Sequence, residues 1–336
     1  MSTYKYKGPD ALNNLRTNEY SRWFKAGIDP YDSEGPFAVQ RTKRDFFTPF
    51  IPDPGFRFRP QDGIFAMGSC FARGIENALI GKKFKVVSAA SEFDDFELAQ
   101  ENVTGRGFMN KYSTHALRHE LEWALDPSAT FPERSLVELE DGTYADPSTN
   151  PTLKWVYLPQ TIKRHETISE VVSRIQSCKV VVLTLGLVEL WHDQETDTYL
   201  NMAPLPEMHK LHPNRYSFHV SNFEENRSNM EAIGDLLTLY GNNEIQIIVT
   251  TSPVPLMATF TNRDVVIANT YSKSILRAVA EDFASSRSNV HYFPSFEIVL
   301  NSNKGMAWTE DGRHVQPEVV HHITSLFQKH FVNSES

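Results

Sequence analysis

From Ile64 onward, short unbroken apolar runs alternate with longer stretches in which apolar residues recur every three or four positions. The first run, Ile64-Phe65-Ala66-Met67, has the length of a strand, and the Phe71, Ile75, Ala78 and Leu79 that follow share one face of a helix over about 71–80. A further strand is predicted at Phe84 to Val87, and Ser113 is placed to cap a helix that runs to Leu125. The second half repeats the unit more plainly. A helix at 161–177 leads to Val180-Val181-Val182-Leu183, one at 223–240 to Ile245–Val249, and one at 265–285 to Val290–Phe293, before a last helical stretch from Gln316 to Phe331. Strands apolar on both faces belong to a parallel sheet covered by helices, which predicts an α/β, doubly wound, three-layer domain. In such sheets ligands bind beyond the carboxyl ends of the strands, so chemistry is expected in the loops that follow them.

Residues 1–60 lack this rhythm. Aromatic residues, prolines and charges crowd them, as in Tyr20-Ser21-Arg22-Trp23-Phe24 and Phe50-Ile51-Pro52-Asp53-Pro54-Gly55. They are expected to form an extension that wraps the α/β domain of residues 61–336. Within that domain the segment 126–160, with Pro127, Pro132, Asp141-Gly142, Pro147 and Pro151, is turn-rich and reads as an irregular insertion or small hairpin that shapes a pocket. At 336 residues, 40% hydrophobic and 22% charged, the chain can bury a substantial core. Its net charge of -9 argues against a general nucleic-acid or anionic-membrane surface, because phosphate binding needs clustered Lys and Arg; local basic patches such as Arg41, Lys43 and Arg44 stay open. No run approaches the ~20 apolar residues of a membrane span. Two cysteines cannot build a disulfide framework, and Met1 to Lys7 has no apolar signal core, so a cytoplasmic location is the expectation.

Candidate chemistry begins where the first apolar run stops, at Gly68-Ser69-Cys70-Phe71-Ala72-Arg73-Gly74. A strand-to-helix corner there puts the Cys70 sulfur near unpaired helix N–H groups and the positive end of the helix dipole, which predicts a thiolate that forms more easily than in a free cysteine. Ser69 is the alternative nucleophile in the same turn, and a small buried thiol with glycines that merely permit the turn is the bland alternative. Near the C-terminus, Thr309-Glu310-Asp311-Gly312-Arg313-His314 offers an aspartate spaced to hold an imidazole that moves a proton near neutral pH. The remaining histidines do not suggest a metal. His209 and His212 have no partner pair at zinc-site spacing, and the adjacent His321 and His322 point to different sides of a helix. Glu92, Asp94, Asp95 and Glu97 read as a solvated face, and no glycine-rich phosphate loop appears.

The run Gly68-Ser69-Cys70-Phe71-Ala72 resembles the naming motif of the GSCFA family, proteins similar to the SGNH or GDSL hydrolases. Against the hydrolase pattern Gly-Asp-Ser-Leu-Thr-x-Gly, both end glycines match and the residue under the serine is Cys70. Two further segments resemble the family's blocks: Thr184-Leu185-Gly186-Leu187-Val188-Glu189-Leu190-Trp191 and Thr251-Ser252-Pro253-Val254-Pro255. The resemblance, covering about Ile64 to Phe331, implies an SGNH/flavodoxin-like fold. It also implies an acyl-handling site in which Cys70 or Ser69 attacks a carbonyl, His314 acts as base and then acid, and Asp311 orients His314.

Gly186 would donate an oxyanion N–H in this scheme, but Val188 lies where the hydrolases carry an asparagine donor. A missing donor costs about 3 kcal/mol of barrier lowering. Asn110, in Gly107-Phe108-Met109-Asn110-Lys111-Tyr112, is the candidate replacement, or else a residue that turns the chain before the helix at Ser113. Glu189 is a candidate to orient a basic group or substrate hydroxyl, and Trp191 either stacks on a sugar ring or completes the core. The implied function is an esterase or O-acyltransferase for an acylated carbohydrate or other polyol, and a non-catalytic binding module is the alternative. No cofactor is required, and acetyl-coenzyme A is open as an acyl donor. The implied partner is a small-molecule or glycan substrate, without nucleic acid.

Overall fold

The computed structural model of the protein describes residues 6–32, 34–99 and 106–333; residues 1–5 and 33 of the expected extension lie outside them. In chain order the main elements are β1 (Ile64–Gly68), α1 (Cys70–Gly81), α2 (Thr114–Leu125), α3 (Leu158–Ser173), β2 (Val180–Leu185), β3 (Glu189–Asp193), β4 (Thr198–Leu200) and β5 (Tyr216–Val220). They continue with α4 (Phe223–Tyr240), β6 (Gln246–Thr251), α5 (Val265–Ser286), β7 (Val290–Tyr292) and α6 (Pro317–Phe331). Strands β1, β2, β6 and β7 lie side by side in that order, all parallel, with Ile64 opposite Val180 and Val180 opposite Gln246.

The expected strand at Phe84–Val87 shrinks to a single parallel bridge, Ile64 with Val86, held by Ile64 N–H to the Lys85 carbonyl (3.0 Å) and Val87 N–H to the Ile64 carbonyl (2.8 Å). Lys83, at a φ of +62°, turns the chain there and leaves too few residues for a ladder. Even so, the bridge puts this segment outside β1, so the chain moves outward from β1 and then returns across it to β2. The gap between the ends of β1 and β2 is therefore the topological switch point, where ligands sit in doubly wound sheets.

Period-two alternation divides the sheet's side chains between two cores. Phe65, Met67, Val181, Leu183, Ile247 and Val249 pack against α2, α3, α4 and α5 on one face. Ile64, Ala66, Val180, Val182 and Ile248 pack against α1 and α6 on the other, together with Ile298 and Val299 of the short helix Ser295–Asn301. The helices start at sequence-encoded caps. Ser113 accepts the Ala116 N–H, Asp264 accepts the Val266 N–H, and Asn222 with Glu225 closes a reciprocal capping box on α4.

The outer edge of β1 is satisfied by side chains rather than by a full strand. Ala66 N–H donates to Ser88 Oγ (3.1 Å) and the Ala66 carbonyl accepts from Arg73 Nη2 (2.6 Å). Both side chains converge on the fully buried Glu76, which also accepts from Arg106 Nη2 (2.7 Å). A buried carboxylate is tolerable only with such full pairing.

Beyond β2 the chain makes a second sheet that the apolar rhythm did not predict. Strands β4, β3 and β5, in that spatial order, are antiparallel, with Trp191 opposite both Leu200 and Phe218. Their residues alternate only partly between apolar and polar, and the strands are short. The insertion contributes a two-stranded hairpin, Val137–Glu138 with Tyr144–Ala145, and Val137, Leu139 and Ala145 share a satellite core with Leu200, Met208 and Tyr216. In the N-terminal segment, the helix Gly8–Thr17 buries no residue, whereas residues 45–58 lie against the C-terminal elements. Phe58 exchanges backbone hydrogen bonds with Phe331 and Asn333, and Phe47 N–H donates to Ser302 Oγ at 2.9 Å.

Gly68 ends β1 at a φ of +124°, a conformation side chains rarely adopt, and a Cβ there would lie 2.2 Å from the Thr184 carbonyl oxygen. Gly68→Ala is expected to lose about 3 kcal/mol or more of unfolding free energy in urea, whereas Gly81→Ala, with open space around its Cβ position, should change it little.

Candidate active site

The turn after β1 is built around Ser69. Its N–H donates to the Thr184 carbonyl (2.9 Å), its hydroxyl lies 3.1 Å from Thr184 Oγ1, and the same Oγ accepts the Phe71 N–H (3.3 Å) as the cap of α1. At 3% exposure, Ser69 is committed to holding the corner. Cys70, the first residue of α1, is half-buried and free, and it opens onto a cleft of about 460 Å³. The cleft lies at the switch point. The Ser69–Cys70 turn, the loop at Gly186-Leu187 and the loop from Ser252 to Ala258 line it, with Asn150 and Pro151 of the insertion and Trp191 and Leu200 of the second sheet. The expectation that the insertion borders the pocket is met by Asn150 and Pro151.

The electrostatics of Cys70 differ from the expectation of an easily formed thiolate. Burial pushes the thiol above its ordinary value, outweighing the opposing pull of Arg313, Lys273 and the N–H groups of Cys70 and Phe71. The helix start does act in the predicted direction; desolvation of a sulfur tucked between two strand ends is larger. Lys273, on α5, is 3% exposed, and its Nζ donates to the Gly186 carbonyl at 2.6 Å. No carboxylate among the described residues pairs with it. Burial brings it down to about 7, while Cys70 acts to raise it.

Gly186 is placed at the site, yet its N–H is not free for an oxyanion. It donates to the Tyr112 carbonyl (3.2 Å), as does Leu187 N–H (2.9 Å), because the segment before α2 lies directly against this loop. A Cβ at Gly186 would lie 2.6 Å from that carbonyl oxygen and 3.3 Å from Ser69 Cβ, so the glycine serves close packing. Val188 is buried in the core at 1%. Asn110 sits beside Gly68, joined by a parallel bridge, and Ser113 rather than Asn110 caps α2. Asn110 Nδ2 donates to Tyr112 Oη (3.4 Å), and its Oδ1 has no protein partner. Asn150 Nδ2 donates to the same phenolic oxygen. With both amides donating, the Tyr112 O–H is left to donate into the cleft that Tyr112 lines.

Asp311 and His314 form the expected pair. His314 Nδ1 lies 2.5 Å from Asp311 Oδ2, and the His314 N–H donates to Asp311 Oδ1 at 2.9 Å. Hydrogen bonds from Thr309, from the His314 and Arg313 N–H groups and from the imidazole hold the Asp311 carboxyl well below the usual carboxylate range. The His314 ring is more than half exposed, and its Nε2 lies 3.2 Å from Arg313 Nη1. Among the described residues His314 has no hydrogen bond to Cys70 or Ser69. Arg313 instead reaches the cleft, fixed by Nε to the Pro255 carbonyl at 3.2 Å.

Glu189 and Trp191 both line the cleft. The Glu189 carboxylate accepts from Thr259 Oγ1 (2.6 Å) and Phe260 N–H (3.0 Å), which pins the loop over the cleft mouth. Trp191 packs edge-on with Phe260 at 5.2 Å and against Phe218 and His209, and its Nε1 has no protein partner. Ser252, fully buried on the cleft wall, likewise has an unpartnered hydroxyl.

A doubly wound α/β domain with a cysteine-bearing turn at its switch point and an Asp–His pair after its last strand is the class of protein these features define. The chain belongs to the GSCFA family, whose model matches residues 63–327. Among curated proteins, none matches this chain. Sequence reasoning missed Lys273, Arg313 and Tyr112. A signal existed for Lys273, which stands three residues before Leu276 and seven before Ala280 on the buried stripe of α5, where a cation is out of place.

A lysine near 7 in the folded protein and near 10.5 in the unfolded chain leaves the unfolded state holding more protons between those values, so folding gains stability as pH rises through that window. The stability of wild type relative to Lys273→Met, from urea unfolding, should therefore rise by about 1 kcal/mol per pH unit between pH 7 and 8.5 and stay flat below pH 6.

Proposed function

We propose that this protein catalyses acyl transfer or ester hydrolysis on an acylated carbohydrate or other polyol, through a covalent thioester on Cys70. The observation that carries this reading is that Cys70, the more exposed of the two turn nucleophiles that line the cleft at the switch point, holds a free thiol there in company with Arg313, the chain neighbour of His314. Asp311 fixes the imidazole with Nδ1–H as donor, which leaves Nε2 as the acceptor. In the proposed sequence the thiol proton passes to Nε2 as Arg313 turns from His314 toward the substrate. The sulfur bonds to the acyl carbon, and the leaving alcohol takes the proton from His314. Water or an acceptor hydroxyl then attacks the thioester carbon and gives its proton to His314; the C–S bond breaks, and His314 returns that proton to the Cys70 sulfur. The Tyr112 hydroxyl and the Cys70 N–H are the donors placed for the oxyanion, in the role expected of Gly186. A thioester passes its acyl group readily to other nucleophiles, so transfer is as accessible as hydrolysis, with acetyl-coenzyme A as one candidate donor.

A non-catalytic binding module is the second reading, favoured by the contact of His314 Nε2 with Arg313 rather than with Cys70. Brief exposure to an activated acyl ester and, separately, to acetyl-coenzyme A, followed by intact mass and peptide mapping, separates the two. An adduct on Cys70, abolished by Cys70→Ala and retained by Ser69→Ala, is expected for the enzyme; no adduct and no turnover would establish the binding module. Ser69→Ala should itself lower stability by about 1 kcal/mol, through loss of the α1 cap.

A further inference from the structure

The cleft beside Cys70 divides chemically into a polar end and an apolar body. Leu187, Leu190, Trp191, Val254, Leu256 and Phe260 are among the apolar residues that line the body. The polar side chains that border it are largely engaged by the protein itself. Asn201 bonds the Asn110 carbonyl (2.6 Å) and the Tyr112 N–H (2.9 Å), Ser113 bonds the Ala116 N–H, and Glu189 is held by Thr259 and Phe260. A sugar ring needs several uncommitted donors and acceptors around it, whereas an aliphatic chain needs none. The Tyr112 O–H, Ser252 Oγ and Trp191 Nε1 are uncommitted, and Arg313, held through Nε by the Pro255 carbonyl, borders the cleft with Cys70 and Gly186. At the mouth, Met257 is 80% exposed and Phe260 57%, an apolar threshold held in place by Glu189.

We propose that the cleft body is an acyl-chain site, which takes a medium-length aliphatic acyl group and delivers its carbonyl to Cys70, Tyr112 and Arg313, leaving the alcohol portion toward solvent. This inference rests on the covalent acyl chemistry proposed for Cys70 and specifies its acyl group. The cleft's 460 Å³ is within the range of small-molecule sites and well above the needs of an acetyl group. Each methylene buried against the body is worth about a fourfold gain in acylation rate, at ~0.8 kcal/mol per CH₂.

The test is a series of activated esters from acetyl to octanoyl, with the second-order rate of Cys70 acylation read by intact mass. Wild type is expected to accelerate about fourfold per added methylene until the cleft is full. Ala203→Phe, which adds bulk at a half-buried position on the cleft wall, should flatten the series. Ala258→Trp, on the exposed loop, serves if the first variant fails to fold. A flat or falling series in wild type with a Cys70 adduct throughout would overturn the acyl-chain site and leave the covalent chemistry standing. Calorimetric titration of the Cys70→Ala protein with octanoate and acetate separates the remaining case. If no ester labels Cys70, binding of octanoate but not acetate upholds the chain site while the catalytic reading falls, and binding of neither overturns the site as well.

Discussion

The approach of the Gly68 backbone to Thr184 is the constraint on which the site depends. At most strand ends a Cβ holds neighbouring backbones apart. Here the +124° φ at Gly68 lets the chain turn off the sheet at once, and Ser69 then clips onto Thr184 by both its N–H and its hydroxyl. Two consequences follow. The helix α1 starts immediately, with Cys70 as its first residue, and the ends of β1 and β2 stand open at the switch point. The same closeness buries the thiol, so the geometry that presents Cys70 to the cleft also raises the cost of ionising it.

That cost is offset in part, by positive charge as well as by the helix start. Lys273 approaches from beneath, through the Gly186 carbonyl, and Arg313 from the cleft side. Neither has a carboxylate partner among the described residues, which is unusual for cations with this much burial, and both act to lower the thiol. A buried Lys273 and a half-buried Arg313 around the thiol favour any state in which negative charge appears at the sulfur or at an oxygen bonded to its acyl group. The Asp311–His314 pair lies just outside this region, with Arg313 as the link between the two.

Much of the architecture was legible because it rests on periodicity. The apolar runs at 64 and 180, and the largely apolar ones at 245 and 290, read as buried strands, and the cap at Ser113 is a local signal. The antiparallel sheet of β3, β4 and β5 was not legible, since strands of three to five residues are stabilised by pairing and by the satellite core, which no local pattern encodes. Within the site, the Gly68 turn and the Asp–His spacing could be read, but the commitments of the groups could not. Gly186 looked like a free donor until Tyr112 was placed against it, and Ser69 looked like a nucleophile until Thr184 was.

The sequence by itself determined the alternation of strands and helices, the family motif at Gly68 to Ala72 and the pairing of Asp311 with His314, because each depends on residues near one another along the chain. Only the tertiary structure decided which turn nucleophile is the more exposed, which N–H groups remain free, and that Lys273 and Arg313 surround the thiol. These depend on the packing of segments far apart along the chain, and burial and hydrogen-bond partnership exist only after that packing is made.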